Sequence, residues 1–74
     1  MDKERQQEVK RRFGTRLRAL RKARKLSQEA VGLKSGLDRS YVGQIERGES
    51  NLSLVNSHRV AEALEVEPGE MFLA

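Results

Sequence analysis

Val9, Phe13, Leu17 and Leu20 recur at spacings of four, four and three in a polar stretch, which places them on one stripe of a helix. That helix is expected to start somewhere after Glu4 and to reach about Arg24, with basic residues on its other faces. Asp2 to Glu8 contains no apolar side chain, so residues 1–8 read as a polar stretch that is either a frayed extension of this helix or disordered. Ser27, before Gln28, Glu29 and Ala30, has the chemistry of a helix cap: its hydroxyl oxygen can accept from a backbone N–H two or three residues on. Barely two turns later Gly36 ends that helix by taking the left-handed conformation. Asp38 is expected to cap the next helix, Arg39 to about Arg47, in which Tyr41, Val42 and Ile45 fall at helical spacing and Gly48 closes the segment. Ser53 heads a fourth helix whose apolar members are Leu54, Val55, Val60, Ala61 and Leu64. Pro68 suits the first position of a short last helix gripped by Met71, Phe72 and Leu73. With no strand-like alternation and no internal repeat, the pattern predicts an all-α domain of five short helices over residues 9–74.

Length and charge narrow the picture. Seventy-four residues, 36% hydrophobic and 35% charged, form one small domain with a limited core, for which a partner chain is an expected source of stability. The net charge of +4 is unevenly spread: residues 1–27 hold eleven Lys and Arg against three Asp and Glu. Residues 61–74 carry Glu62, Glu65, Glu67 and Glu70 and no base, so the molecule is electrically two-ended and would meet a polyanion with one preferred face. The absence of cysteine and the single His58 remove disulfides, thiol nucleophiles and Cys/His zinc sites, and suit a reducing, cytoplasmic setting. Met71 to Ala74 is the longest apolar run, far below the roughly 20 residues of a membrane span, and the charged opening does not read as a signal peptide.

Two short helices joined by a tight turn at Gly36, the second opening with Arg39, Ser40 and Tyr41, have the arrangement of a helix-turn-helix. The runs Ser27-Gln28-Glu29-Ala30-Val31 and Ser40-Tyr41-Val42-Gly43-Gln44-Ile45-Glu46-Arg47-Gly48 resemble the phage-repressor helix-turn-helix family, that of Cro and the lambda repressor. The likeness covers about residues 13–73. Ser35 to Val42, Glu46-Arg47-Gly48, Asn51 to Asn56 and Glu67 to Phe72 are similar in particular to the controller proteins of restriction-modification systems.

The resemblance implies a compact lambda-repressor-like fold and residue roles that can be weighed against side-chain chemistry. Arg39, Ser40 and Gln44 are the expected base-contacting residues. Arginine can bridge O6 and N7 of guanine, glutamine can pair with the N6 and N7 edge of adenine, and serine can donate or accept. The same analogy gives Gln28, Tyr41, Arg47, Asn51 and Ser53 as DNA-backbone contacts, with packing an equal reading for Tyr41 and plain capping for Ser53. Arg21 and Glu46 match an intramolecular ion pair, which makes Glu46 structural rather than catalytic. The basic cluster on the first helix reads as a solvated face that attracts DNA in bulk.

Three positions depart from the family. Ser50 stands where controller proteins often have arginine, Gly32 where alanine is common, and His58 where a leucine-like residue is usual. His58 reads as a partly exposed or hydrogen-bonded histidine at the core edge, with a pH-sensitive interface as the alternative. A single short recognition helix reads few base pairs, so such proteins act as two-fold dimers on half-sites about 34 Å apart. Leu52, Leu54, Val55, Met71, Phe72 and Leu73 are the candidate apolar dimer patch. The expected function is thus a homodimeric, operator-binding transcription regulator of the controller type. It needs no cofactor or metal, and contact with RNA polymerase would be required if it activates. The competing reading is an antitoxin-like protein-interaction module of the same fold. An enzyme is disfavoured by the lack of a phosphate loop or a recognisable catalytic constellation.

Overall fold

A computed structural model describes residues 1–73. Four α-helices, α1 (Lys3–Ala23), α2 (Gln28–Ser35), α3 (Arg39–Glu46) and α4 (Leu54–Ala63), are followed by a 3-10 turn, Pro68–Phe72. The last element therefore differs from the fifth helix that the sequence predicts. Its bonds join residues three apart, Glu70 N–H to Glu67 O at 2.9 Å and Leu73 N–H to Glu70 O at 3.4 Å, and the chain is extended again at Leu73, so the segment ends before an α ladder is built.

Helix α1 starts earlier than the apolar stripe indicates. The Asp2 carboxylate accepts from the Arg5 N–H at 2.8 Å, Arg5 pairs with Glu8 at 3.2 Å, and Gln7 Nε2–H donates to Gly48 O at 2.9 Å. The polar opening read as frayed or disordered is thus helical from Lys3, capped at its start and tied to the end of α3. The stripe itself is graded. Phe13 and Leu17 are buried and Leu20 half-buried, while Val9 stays 40% exposed.

Ser27 and Ser53 cap α2 and α4, their hydroxyl oxygens accepting from Ala30 N–H and Asn56 N–H at 3.0 Å each. Asp38 occupies the cap position of α3 in its backbone, and its carbonyl accepts from Val42 N–H, but its exposed side chain makes no cap bond, contrary to expectation. Gly36 ends α2 at φ +75° and Gly48 follows α3 at φ +74°. Two non-glycine residues also enter the left-handed region, Lys25 (φ 57°) after α1 and Glu65 (φ 58°) after α4. Each lets the next residue, Leu26 or Val66, send its N–H back to Arg21 O or Ala61 O and close the helix end.

Val31, Val42, Ile45, Val60, Ala61, Ala63, Leu64 and Met71 join Phe13 and Leu17 in one core. Helix α1 can approach α3 closely because residue 14 is glycine: a methyl there would lie 2.3 Å from Ile45 O and 2.6 Å from Glu46 O. Gly32 serves the α2–α3 turn in the same way, since a methyl would lie 2.7 Å from Leu37 O. Arg16 Nε–H donates to Glu70 O at 2.8 Å and fastens the C-terminal turn to α1. No helix among the described residues is long and apolar enough to cross a membrane.

Candidate nucleic-acid interface

The outer edge of α3 is built by the placement of its inner one. Val42 and Ile45 are buried, so the helical period turns Arg39, Ser40 and Gln44 outward, and all three are exposed. Arg39 and Ser40 lie side by side in the first turn and Gln44 follows one turn later. The missing Asp38 cap bond leaves the first-turn N–H groups of α3 without a side-chain acceptor.

The far end of α3 is fixed by charge. Arg21 and Glu46 form a two-pronged bridge, Nε–H to Oε2 at 2.6 Å and Nη2–H to Oε1 at 3.1 Å, with side chains 13% and 5% exposed. Arg21 Nη1–H also donates to Leu26 O at 2.9 Å, and Gln28 Nε2–H donates to Glu46 Oε1 at 3.1 Å. The pair expected from sequence is therefore the hub of a network joining α1, the α1–α2 link, α2 and α3. Every ionisable group in it has its hydrogen-bond partners, as a desolvated charge requires.

Gln28 thus has one N–H committed inside the fold and a second left over. Tyr41 is half-buried against the core, which favours packing for that residue. Ser53 Oγ accepts the capping bond, leaving its own hydrogen to donate. Asn51 is exposed in the α3–α4 loop, near Met1 and Gln6 of the N-terminal extension and Lys10 of α1. Arg47 is exposed and pairs twice with Glu49, Nε–H to Oε2 at 3.0 Å and Nη2–H to Oε1 at 3.2 Å. That hydrogen bond and the carboxylate's charge hold the guanidinium above its usual range. Sequence reasoning gave Glu49 no part; the alternating Glu46-Arg47-Gly48-Glu49 pattern was its only signal.

The apolar candidates divide. Leu54, Val55, Phe72 and Leu73 are 75, 60, 62 and 58% exposed, but Leu52 is half-buried against the core. Met71 must be withdrawn from the dimer patch: at 1% exposure it is a core residue, turned inward where its neighbours Phe72 and Leu73 turn out. An open apolar groove runs between Val9, Phe13, Leu52, Leu54 and Phe72, and the Phe13 and Phe72 rings meet at 5.4 Å. Val9 and Phe13, assigned to the first helix's inner stripe, are the members that spacing did not reveal. His58 is exposed on α4 and its Nδ1 lies 2.9 Å from Leu54 O, in line with a hydrogen-bonded histidine.

A helix-turn-helix family model matches residues 17–71, which span all the elements just described except the first turns of α1. The chain belongs to the HTH_3 helix-turn-helix family. It is 41% identical to the control protein C.MunI of a Mycoplasma species over 66 residues, covering 88% of this chain and 89% of that one. It is 37% identical to the control protein C.BamHI of Bacillus amyloliquefaciens, over 80% of this chain and 74% of that one. Among solved structures, the restriction-modification controller protein C.AhdI from Aeromonas hydrophila is 57% identical and superposes with a TM-score of 0.84 over 85% of this chain and 96% of its own.

Proposed function

We propose that this chain is a transcription regulator of the restriction-modification controller type, which binds a pseudo-palindromic operator as a homodimer. The reading is carried by one observation: the exposed edge of α3 presents Arg39, Ser40 and Gln44, the side-chain types that read base edges in the major groove. The backbone beneath that edge is locked by the Arg21–Glu46–Gln28 network. Likeness to proteins titled controller proteins supports the same reading. Gln28 and Arg47 lie against Gly43 of α3 and would position the duplex through its phosphates, with Tyr41 adding its hydroxyl from a half-buried ring; Asn51 and Ser53, at the rim of the groove beside Phe72, would reach phosphates farther along the backbone.

One α3 edge reads too few base pairs for a unique site, so a second copy is needed. The groove beside Phe72, with Leu54, Val55 and Leu73 around it, offers the apolar surface for a two-fold contact. Regulation would follow protein concentration in the cytoplasm, because dimerisation and operator occupancy both rise with it. No cofactor or catalytic step enters this reading. Activation would add a contact with RNA polymerase.

Selection of bound sequences from random duplex DNA at moderate salt tests the proposal. The expected outcome is an enriched palindrome with half-sites about one helical turn apart. Binding that enriches no sequence and only fades with salt would overturn it and leave non-specific attraction to the basic α1.

A further inference from the structure

Arg47 is the sole Lys or Arg between Arg39 and Arg59, so the α3–α4 loop has one cation with which to meet a phosphate. That cation is already occupied. Its guanidinium folds back over Gly43, where a methyl would lie 3.1 Å from Nη1, and is held in a fork by the two Glu49 oxygens at 3.0 and 3.2 Å. Both side chains are more than half exposed, at 59 and 55%, so the pair faces solvent and its partners can exchange. Glu29 repeats the arrangement more loosely, 4.0 Å from Arg39 at the other end of the same helix.

A carboxylate offers the guanidinium the same two-oxygen fork that a phosphate does. We propose that Glu49 limits how tightly the chain holds DNA by acting through Arg47: it stands in for a DNA phosphate in the free protein and gives up the arginine only on a duplex that the α3 edge also fits. On random DNA the exchange of one anion for another gains little, and the unpaired Glu49 then faces the phosphates at a cost. On an operator, base contacts by α3 hold the backbone in place long enough for Arg47 to change partner. Opening the pair costs the same on either duplex and is incurred on the operator, so Glu49 lowers operator binding at least as much as non-specific binding. In a chain whose first 27 residues are strongly basic, such a brake offsets part of the bulk attraction to DNA and keeps operator occupancy responsive to protein concentration. The inference rests on the proposed DNA-binding function and deepens it.

The test is a double-substitution cycle on the full chain: native, Glu49→Gln, Arg47→Gln and both together. Dissociation constants are measured for a duplex selected by the native chain and for a random duplex across a salt series, with helical content checked by circular dichroism. Glu49→Gln is expected to tighten random binding about two- to five-fold, the range of a released exposed ion pair. The plot of log K against log salt should steepen by about 0.9, one added phosphate. Operator binding should tighten at least as much, with an unchanged slope, because Arg47 already meets a phosphate there. In the Arg47→Gln background, Glu49→Gln should leave the slope unchanged and tighten binding by less than in the native background. An equal gain in that background would mean that only net charge matters and would overturn the proposal, as would no gain from Glu49→Gln in the native background. Failure of the native chain to select any duplex or to bind DNA in a salt-dependent way would overturn the underlying function as well, a result distinct from both.

Discussion

Replacing Gly14 by alanine sets two effects of opposite sign against each other. Inside a helix alanine is favoured over glycine by about 1 kcal/mol, so propensity alone predicts a more stable protein. At this position the added methyl would lie 2.3 Å from Ile45 O, 2.6 Å from Glu46 O and 2.9 Å from the Glu46 carbonyl carbon. A carbon and a carbonyl oxygen rest no closer than about 3.3 Å, so α1 and α3 must part by roughly 1 Å. All three atoms are backbone, and no rotamer change relieves them. The separation loosens Leu17 against Val42 and Ile45 and stretches the 2.6 Å Arg21–Glu46 bridge. Overpacking of a tight contact costs about 1 to 3 kcal/mol, and a clash with rigid backbone belongs at or beyond the upper end. The net expectation is a loss of about 2 kcal/mol. For a domain of this size that lowers the melting temperature by about 8 to 16 °C. Thermal unfolding followed by circular dichroism at one fixed protein concentration measures it, since dimerisation would tie the midpoint to concentration. Gly69→Ala is the reference, as a methyl there meets nothing within 4 Å, and it should change stability by less than about 0.5 kcal/mol. A Gly14→Ala midpoint equal to or above the native one would refute the close α1–α3 approach.

Glu46→Gln should cost about 3 kcal/mol in urea unfolding, because it leaves Arg21, 13% exposed, without its counter-charge; an unchanged midpoint would show the pair to be solvated. Lys25→Gly should stabilise by about 0.5 kcal/mol, since glycine relieves the left-handed φ of 57° by more than it adds to the entropy of the unfolded chain. Met71→Ala and Leu54→Glu should separate core from interface. The first should lower stability by about 2 to 5 kcal/mol, and the second, at a 75% exposed position, should leave monomer folding intact and shift sedimentation velocity towards the monomer.

The helix starts at Ser27 and Ser53 and the stops at Gly36 and Gly48 were legible in the sequence because each depends on one residue's local chemistry. The Arg21–Glu46 pair was legible only through resemblance, since 25 residues separate its partners. Elsewhere the reading ran short. The helical start at Lys3 rests on the Asp2 cap, a local signal that the apolar period passes over, and on Gln7 reaching Gly48, a contact across the fold. Lys25 and Glu65 take left-handed turns usually marked by glycine, and they carry no such mark. Met71, Phe72 and Leu73 are consecutive and alike in chemistry, so only the path of the Pro68–Phe72 turn decides which one enters the core. Gly14 carries no signal in the apolar pattern, and only the packed fold shows it as the contact that seats α3.

The central claim is that base identity is read from the exposed edge of α3, and Arg39→Ala tests it most directly. Affinities of the native and Arg39→Ala chains would be compared on the selected operator and on operators in which each guanine is replaced in turn. The account predicts that the variant loses about 1 to 3 kcal/mol on the operator and no longer distinguishes one particular guanine, while its salt slope changes by no more than about 1. An equal loss on every sequence, with discrimination intact, would make Arg39 a backbone contact and contradict the account.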